Sequence, residues 1–263
     1  MSLEVTDLVI TLGGRAVVDG VSFTVEPGKR LGLIGESGSG KSLTCLAVLG
    51  LLPAGAQVSG SIRWAGRELM GAGDRALAAI RGKEIGIVFQ EPTTALDPIR
   101  TIGNQIGESL RIHYGLSGRE TRDRVIRMVD RVQLPEPEHI IRRYPHQLSG
   151  GQRQRVAIAM ALITGPRLVI ADEPTTALDV TVQAGILEVF DDLVTSSGAS
   201  LIFITHDIAL LSQMSGDGLV LAGGRVVESG PVEQIIHAPA HPITAQLAAA
   251  ARATGWRVPA GVA

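Results

Sequence analysis

Gly35-Glu36-Ser37-Gly38-Ser39-Gly40-Lys41-Ser42 decides how this chain is read. A glycine, four free positions and then Gly-Lys-Ser is a phosphate-binding pattern. Before it, Arg30-Leu31-Gly32-Leu33-Ile34 is an apolar run that reads as a buried strand; after it, Leu43 to Leu52 reads as a helix. A strand, a glycine-rich turn and a helix N-terminus aim several backbone N–H groups at one point, and the helix dipole adds partial positive charge there. Gly35, Gly38 and Gly40 let the backbone curl round an anion. Lys41 can supply a point charge to the outer phosphates, and the Ser42 hydroxyl is placed to ligate Mg²⁺. A glycine-rich loop that only turns the chain is the alternative, and the full pattern in its strand–turn–helix setting outweighs it. The stretch is a nucleotide site.

Composition narrows the rest. The 263 residues can bury one substantial core with a smaller subdomain. A net charge of −2 and a pI near 6.3 offer no basic field for nucleic acid or anionic lipid. The one cysteine, Cys45, excludes internal disulfides and thiolate metal sets, and reads as a small packed apolar residue. No apolar run approaches the length of a membrane span, and Met1-Ser2-Leu3-Glu4 has none of the build of a secretion signal. The expectation is a soluble intracellular protein, with any membrane role exercised through partners.

Working outward, residues 3 to 34 read as β-rich: Val5 to Leu12, a Gly13-Gly14 turn, Val17-Val18, then Val21 to Val25 in alternation. Gly60 to Trp64 with Ala65-Gly66 suggests another hairpin, Asp74 to Arg81 a short helix, and Ile85 to Phe89 a buried strand. Residues from about 101 to 163 give mostly helical signals, Arg119 to Val132 among them. The βα alternation returns with Leu168 to Ala171, a helix carrying Val182, Ile186, Phe190 and Leu193, and strands at Leu201 to Thr205 and Leu219 to Leu221. One α/β domain follows from this: a mainly parallel sheet in 1–90 and 158–237, an N-terminal β-subdomain, a helical lobe over 91–157, and a tail over 238–263 with one helix, Ile243 to Arg252.

Glu-Pro-Thr-Thr-Ala-Leu-Asp occurs twice, at Glu91–Asp97 and Glu173–Asp179, without a wider shared register, so the domain is not duplicated. The residue before each copy separates them: Gln90 in one, Asp172 in the other. Asp172 and Glu173 end an apolar strand, where open α/β sheets gather ligands. Asp172 can hold Mg²⁺ opposite Ser42, and Glu173 is then placed to orient or deprotonate the attacking water. A solvated strand end is the plainer reading; a phosphate loop on the same expected sheet argues against it, since Mg²⁺ there needs an acidic partner. Leu148-Ser149-Gly150-Gly151-Gln152 precedes a long helical pattern, with Ser149 a plausible N-cap and the glycines leaving N–H groups approachable. This is a candidate second anion site. Two clamps for one nucleotide make sense in a dimer, each nucleotide being held by the first loop of one chain and the second of its partner.

Taken in order, Gly35–Ser42, Gln90 after a strand, Leu148–Gln152, Asp172-Glu173, Ala177-Leu178-Asp179 and Thr205-His206-Asp207 resemble the ATP-binding-cassette (ABC) ATPases over nearly the whole chain. The resemblance implies a P-loop NTPase core with an N-terminal antiparallel β-subdomain and an inserted α-helical subdomain. It implies ATP and Mg²⁺ as ligands, with Gly35, Glu36, Ser37, Gly38, Ser39, Gly40, Lys41, Ser42 and Leu43 holding ATP. Ser42, Gln90 and Asp172 would hold the metal, and Glu173, His206 and Gln90 would act in catalysis. Gln90 would also report to the membrane partner. Ser149, Gly150, Gly151, Gln152 and Asp179 would meet the partner's nucleotide across the dimer seam.

Phe89-Gln90-Glu91-Pro92, Leu96-Asp97-Pro98, Thr101-Ile102-Gly103 and Arg143-Tyr144-Pro145-His146-Gln147 look like the dipeptide/oligopeptide/nickel importer branch, as do Ala177 to Gln183 and His237-Ala238-Pro239 with His241-Pro242. That branch implies a second ABC ATPase chain (homo- or heterodimer), two integral membrane permease subunits, an extracytoplasmic solute-binding protein, and residence on the cytoplasmic face of the membrane. The sequence departs from it in three places. No cysteine follows Cys45, so no iron–sulfur extension is inferred; Leu12 falls where an aromatic often stacks on adenine; and Ile243 replaces a usual aromatic. His237 and His241 lack the further ligands a nickel site would need. A non-transport ABC ATPase, such as an accessory subunit of a phosphonate-processing complex, is the competing function. DNA- and ribosome-acting versions usually need a coiled-coil insert or tandem cassettes, and the expectation is that neither applies here.

Overall fold

The computed structural model describes residues 1–91, 95–175 and 180–253, so the expectations resting on Pro92 and on Ala177, Leu178 and Asp179 lie outside the described residues. In chain order the elements are β1 (Leu3–Leu12), β2 (Arg15–Val25), β3 (Arg30–Gly35), α1 (Lys41–Val48), β4 (Gln57–Trp64), β5 (Arg67–Glu68), α2 (Asp74–Ala78) and β6 (Ile85–Val88). Then come α3 (Ile102–Ile106), α4 (Glu108–Tyr114), α5 (Gly118–Arg131), α6 (Pro137–Ile140), a 3₁₀ turn (Pro145–Gln147), α7 (Gly150–Leu162) and β7 (Leu168–Asp172). The chain continues through α8 (Val180–Ser197), β8 (Ser200–Thr205), α9 (Ile208–Met214), β9 (Asp217–Ala222), β10 (Arg225–Pro231), α10 (Val232–His237) and α11 (Pro242–Ala253). They fall into two compact units: Met1–Leu77 with Leu201–Ala263, and Ala78–Ser200.

The first unit opens with an antiparallel sheet in the order β2-β1-β4-β5. Leu3, Val5, Leu8 and Ile10 of β1 are buried, and the alternation skips a residue between Val5 and Leu8. Asp7, at φ 47°, makes that skip; its N–H donates to Ser22 Oγ at 2.8 Å, and the register shifts on both neighbouring strands. Opposite it, a Cβ on Gly60 would lie 2.5 Å from the Asp7 carbonyl oxygen, so only glycine passes. The hairpin expected at Ala65-Gly66 is there, with both residues at positive φ as a tight two-residue turn demands.

The unit's other strands run in the order β10-β9-β3-β8, with β3 parallel to β8 and β9. Leu33, Ile34 and Leu201 to Ile204 are wholly buried, about 1.5–3 kcal/mol of burial for each large side chain, which is why they read as unbroken apolar runs. α9, α10 and α11 pack beside them, Leu211, Ile235 and Ala248 sharing one core with Ile34 and Val220.

In the second unit β6 and β7 pair in parallel, Val88 beside Ala171. α5 follows the expected pattern: Val125, Met128 and Val129 face inward, and a Ser117–Glu120 capping box starts the helix. Ile186, Phe190 and Leu193 of α8 are buried, whereas Val182, expected on the same face, is 37% exposed.

Several boundaries differ from the sequence reading. α1 stops at Val48 instead of reaching Leu52, because Gly50 turns left-handed at φ 62° and Pro53 follows. α2 ends at Ala78, since Arg81 leaves to bridge Ile85. β10, α9 and α10 were not anticipated; their alternation is weak, and only the Gly223-Gly224 turn marks the β9–β10 hairpin.

Candidate nucleotide site

The phosphate loop leaves the carboxyl end of β3 and enters α1. Gly40, at φ 99°, is the N-cap, and a Cβ there would stand 2.9 Å from both the Val17 carbonyl oxygen and Val18 Cγ2. A Cβ on Gly35 would lie 2.1 Å from the Leu221 carbonyl oxygen. These glycines let the loop lie tight on β2 and β9 while Glu36, Ser37 and Gly38 stay exposed. Lys41 is buried, and its Nζ donates to the carbonyls of Gly35 at 2.8 Å and Glu36 at 2.9 Å. The ammonium is thereby folded back across its own loop. Ser39 is 5% exposed and its Oγ has no hydrogen-bond partner, as expected of a polar group built to meet a ligand. Ser42 and Leu43 are half-buried in the first turn of α1.

His206 belongs to the same unit. Ile34 pairs with Thr205, so the loop after β3 and His206 after β8 leave neighbouring parallel strands at the same end. His206 is exposed; Asp207 beside it caps α9, its Oδ1 accepting the Ala209 N–H at 2.7 Å.

The second unit holds the remaining candidates. Gln90 follows β6, and Asp172 and Glu173 end and follow β7, so all three leave one end of a parallel pair. Asp172 is 8% exposed, Glu173 half-buried and Gln90 exposed. The Gln90 Nε2 donates to Glu173 Oε2 at 3.2 Å. Glu173 has φ 44°, a left-handed conformation costing a non-glycine residue about 1–2 kcal/mol.

Ser149 caps α7: its Oγ accepts the Gln152 N–H at 3.3 Å, and Gln152 Oε1 accepts the Ser149 N–H at 3.0 Å. Ser149 is exposed, while Gly150, Gly151 and Gln152 are half-buried. Sequence reasoning passed over Arg155. Its Nη1 donates to the Val132 carbonyl at 2.8 Å and its Nη2 to that of Gly185 at 3.3 Å, bracing α7 against the end of α5 and against α8. Burial pulls its pKa below the ordinary guanidinium value. The one available signal was a cation in a helix whose next residues, Val156 to Ala159, are all apolar.

Oxygen donors suit Mg²⁺, and each side chain expected to hold it carries one: the Ser42 hydroxyl, the Asp172 carboxylate and the carbonyl oxygen of the Gln90 amide. A buried lysine and an unpartnered serine hydroxyl in a glycine-lined loop at a helix N-terminus can together take a polyphosphate.

The family model described as ABC transporter matches residues 18–176. This chain belongs to that family. Among its ABC relatives, the peptidoglycan transport ATP-binding protein YejF of Agrobacterium fabrum is 48% identical over 94% of this chain and 46% of its own length. A putative peptide import ATP-binding protein of Brucella abortus is 47% identical over 94% of this chain and 76% of its own length. The oligopeptide transport ATP-binding protein OppD of Mycobacterium tuberculosis is 47% identical over 93% of the chain and 41% of its length. The chain thus spans less than half of YejF and OppD. Among solved ABC structures, the cassette MJ0796, a dimer in a post-hydrolysis state bound to ADP and Pi, matches with a TM-score of 0.77 and 28% identity, over 88% of this chain and 98% of that one. The cassette cbiO1 of Clostridium perfringens gives 0.75 and 27%, over 89% of each chain. The fold is accordingly that of a P-loop ABC ATPase with an antiparallel β-subdomain.

Proposed function

We propose that this chain is the ATP-hydrolysing subunit of a peptide importer, one of two cassettes seated on the cytoplasmic side of a pair of membrane-spanning permeases that receive solute from an extracytoplasmic binding protein. The observation that carries the ATPase reading is the phosphate loop, where Lys41 is held across the Gly35 and Glu36 carbonyls beside the unpartnered Ser39 hydroxyl. The peptide reading rests on what the Brucella and Mycobacterium relatives are named for.

Residues 35–43 cradle the phosphates through their N–H groups, and Lys41 exchanges carbonyls for phosphate oxygens. Ser42, Asp172 and Gln90 hold Mg²⁺, which when bound neutralises charge on the phosphate oxygens. Glu173 accepts a proton from the attacking water, with Gln90 fixing the direction of its carboxylate. His206 steadies the outer phosphate. Ser149, Gly150, Gly151, Gln152 and Asp179 close on the nucleotide of the opposing cassette, so hydrolysis opens the pair and moves the permeases.

Purified protein, supplied with its partner cassette if the pair is mixed, should turn over ATP and co-purify with hydrophobic permease chains. Co-purification with a soluble enzyme assembly instead would replace transport by the accessory-subunit reading. Absence of turnover in the presence of both cassettes would remove the ATPase assignment itself.

A further inference from the structure

Arg155 lies about one turn beyond Gly151 in α7, and the two residues share a face of that helix. Both meet α8 near its start. A Cβ on Gly151 would stand 3.9 Å from Ile186 Cδ1 and closer still to Val182, while the Arg155 Nη2 donates to the Gly185 carbonyl at 3.3 Å. Val182, Gly185 and Ile186 follow one another at helical spacing, so they form one face of α8. The two helices are thus pinned at two points. Neither can slide or rotate on the other while both hold.

The other arm of the guanidinium ties in a third helix. Arg155 Nη1 donates to the Val132 carbonyl at 2.8 Å and to Gln133 Oε1 at 3.5 Å. Val132 is the C-cap of α5, and Gln133 after it turns left-handed at φ 54°. The cation therefore satisfies a carbonyl at the negative end of a helix dipole. A planar fork fixes the direction of its bonds to both helices, which a point-like ammonium on a flexible stem does not.

A charge is a poor choice here for stability alone. Arg155 is half-buried, and among the described residues its acceptors are uncharged oxygens. Burial draws its pKa down for that reason. A methionine could pack a similar apolar stem with no cation to desolvate. What the guanidinium adds is direction: it sets the register of α7 against α8 and the end of α5.

We infer that Arg155 is a positioning residue for the second anion clamp, holding the Ser149 hydroxyl and the Gly150 and Gly151 N–H groups where the opposing cassette's nucleotide meets them. The inference rests on the reading that the start of α7 closes on that nucleotide. The same bonds join α7 to α8, whose first residue follows Asp179 in sequence. Arg155 acts through these groups and not on the nucleotide itself.

A double-mutant cycle in ATP turnover tests it, with both cassettes present: wild type, Ser149→Ala, Arg155→Met and the pair. Each single variant should lower kcat at least about tenfold. The pair should fall at least about fivefold short of the product of the two losses, because one residue works through the other. Binding of a fluorescent nucleotide to the single chain reports the phosphate loop and should stay within about twofold of wild type in all four proteins. Arg155→Lys keeps the charge and loses the fork, so its kcat should lie between wild type and Arg155→Met; it carries the cycle if Arg155→Met does not fold. Wild-type turnover in a folded Arg155 variant, losses that simply multiply, or a matching loss of nucleotide binding would overturn the inference. Full turnover in Ser149→Ala would remove the clamp reading and the inference with it. Absence of turnover in wild type would remove the ATPase assignment beneath both.

Discussion

Gly151 and Val182 approach so closely that a Cβ on the glycine would fall 2.8 Å from Val182 Cγ1. α7 and α8 meet at this point, with the Arg155 bridge to Gly185 close by. The second glycine of Leu-Ser-Gly-Gly-Gln therefore has a packing reason to be glycine, apart from any nucleotide it meets.

The two roles separate by mutation. Gly151→Ala should cost about 1–3 kcal/mol in urea unfolding, because Val182 is a stiff side chain that must shift. Adding Val182→Ala should recover most of that loss. ATP turnover of the double variant should stay at least about tenfold below wild type if the glycine also meets a partner's nucleotide. Full recovery of turnover would reduce Gly151 to a packing residue.

The hydrogen bond from Gln90 to Glu173 links the residue before the first copy of the repeated heptapeptide to the first residue of the second. Glu173→Gln keeps an acceptor for that amide but removes the base, so nucleotide binding should persist while kcat falls by about 10²–10⁴. ATP should then hold two cassettes together, detectable as a nucleotide-dependent dimer on sizing. Normal turnover in this variant would assign proton transfer to another group.

Much of this was legible in the sequence because the signals are local. Gly-Lys-Ser after an apolar strand places the phosphate loop, and the Ser149-to-Gln152 spacing places a capped helix start, since one to four residues suffice for each. What stayed hidden depends on contacts distant in sequence. Nothing local marks Gly60 as the residue opposite the Asp7 bulge, Gly151 as the neighbour of Val182, or Arg155 as a brace between three helices. The strain at Glu173 was equally invisible, because a left-handed glutamate has no pattern of its own. β10 escaped because its half-exposed, polar-rich face lacks the alternation that announced β2.

Lys41 gives a direct test of the phosphate loop. Its ammonium makes two charge-assisted bonds to Gly35 and Glu36. Bonds to a charged group are worth about 1.5–3 kcal/mol. If those donors pass to phosphate oxygens, Lys41→Ala should weaken ATP binding by about ten- to a hundredfold, read by displacement of a fluorescent nucleotide. Unchanged affinity would show that the ammonium only staples the loop.

The end of the chain supplies a pH test. Glu228 of β10 accepts the N–H groups of Ala240 at 2.9 Å and His241 at 3.0 Å, fastening the strand to the start of α11. Burial alone would push this carboxyl's pKa up; the Ala240 N–H, then the Thr244 hydroxyl, the His241 N–H and the His241 charge together outweigh it and hold the pKa below the usual glutamate value. A pKa lower in the folded chain than in the unfolded one means the unfolded chain binds the proton more readily. The clamp therefore contributes fully above about pH 4.3, the unfolded value, and is lost as pH falls through the lower folded one. Wild type should melt above Glu228→Gln at pH 7, keep that margin down to roughly pH 5, and lose it progressively below roughly pH 4. Melting curves of the two proteins that stay the same distance apart throughout the acid range would show that the carboxylate charge contributes nothing to holding α11.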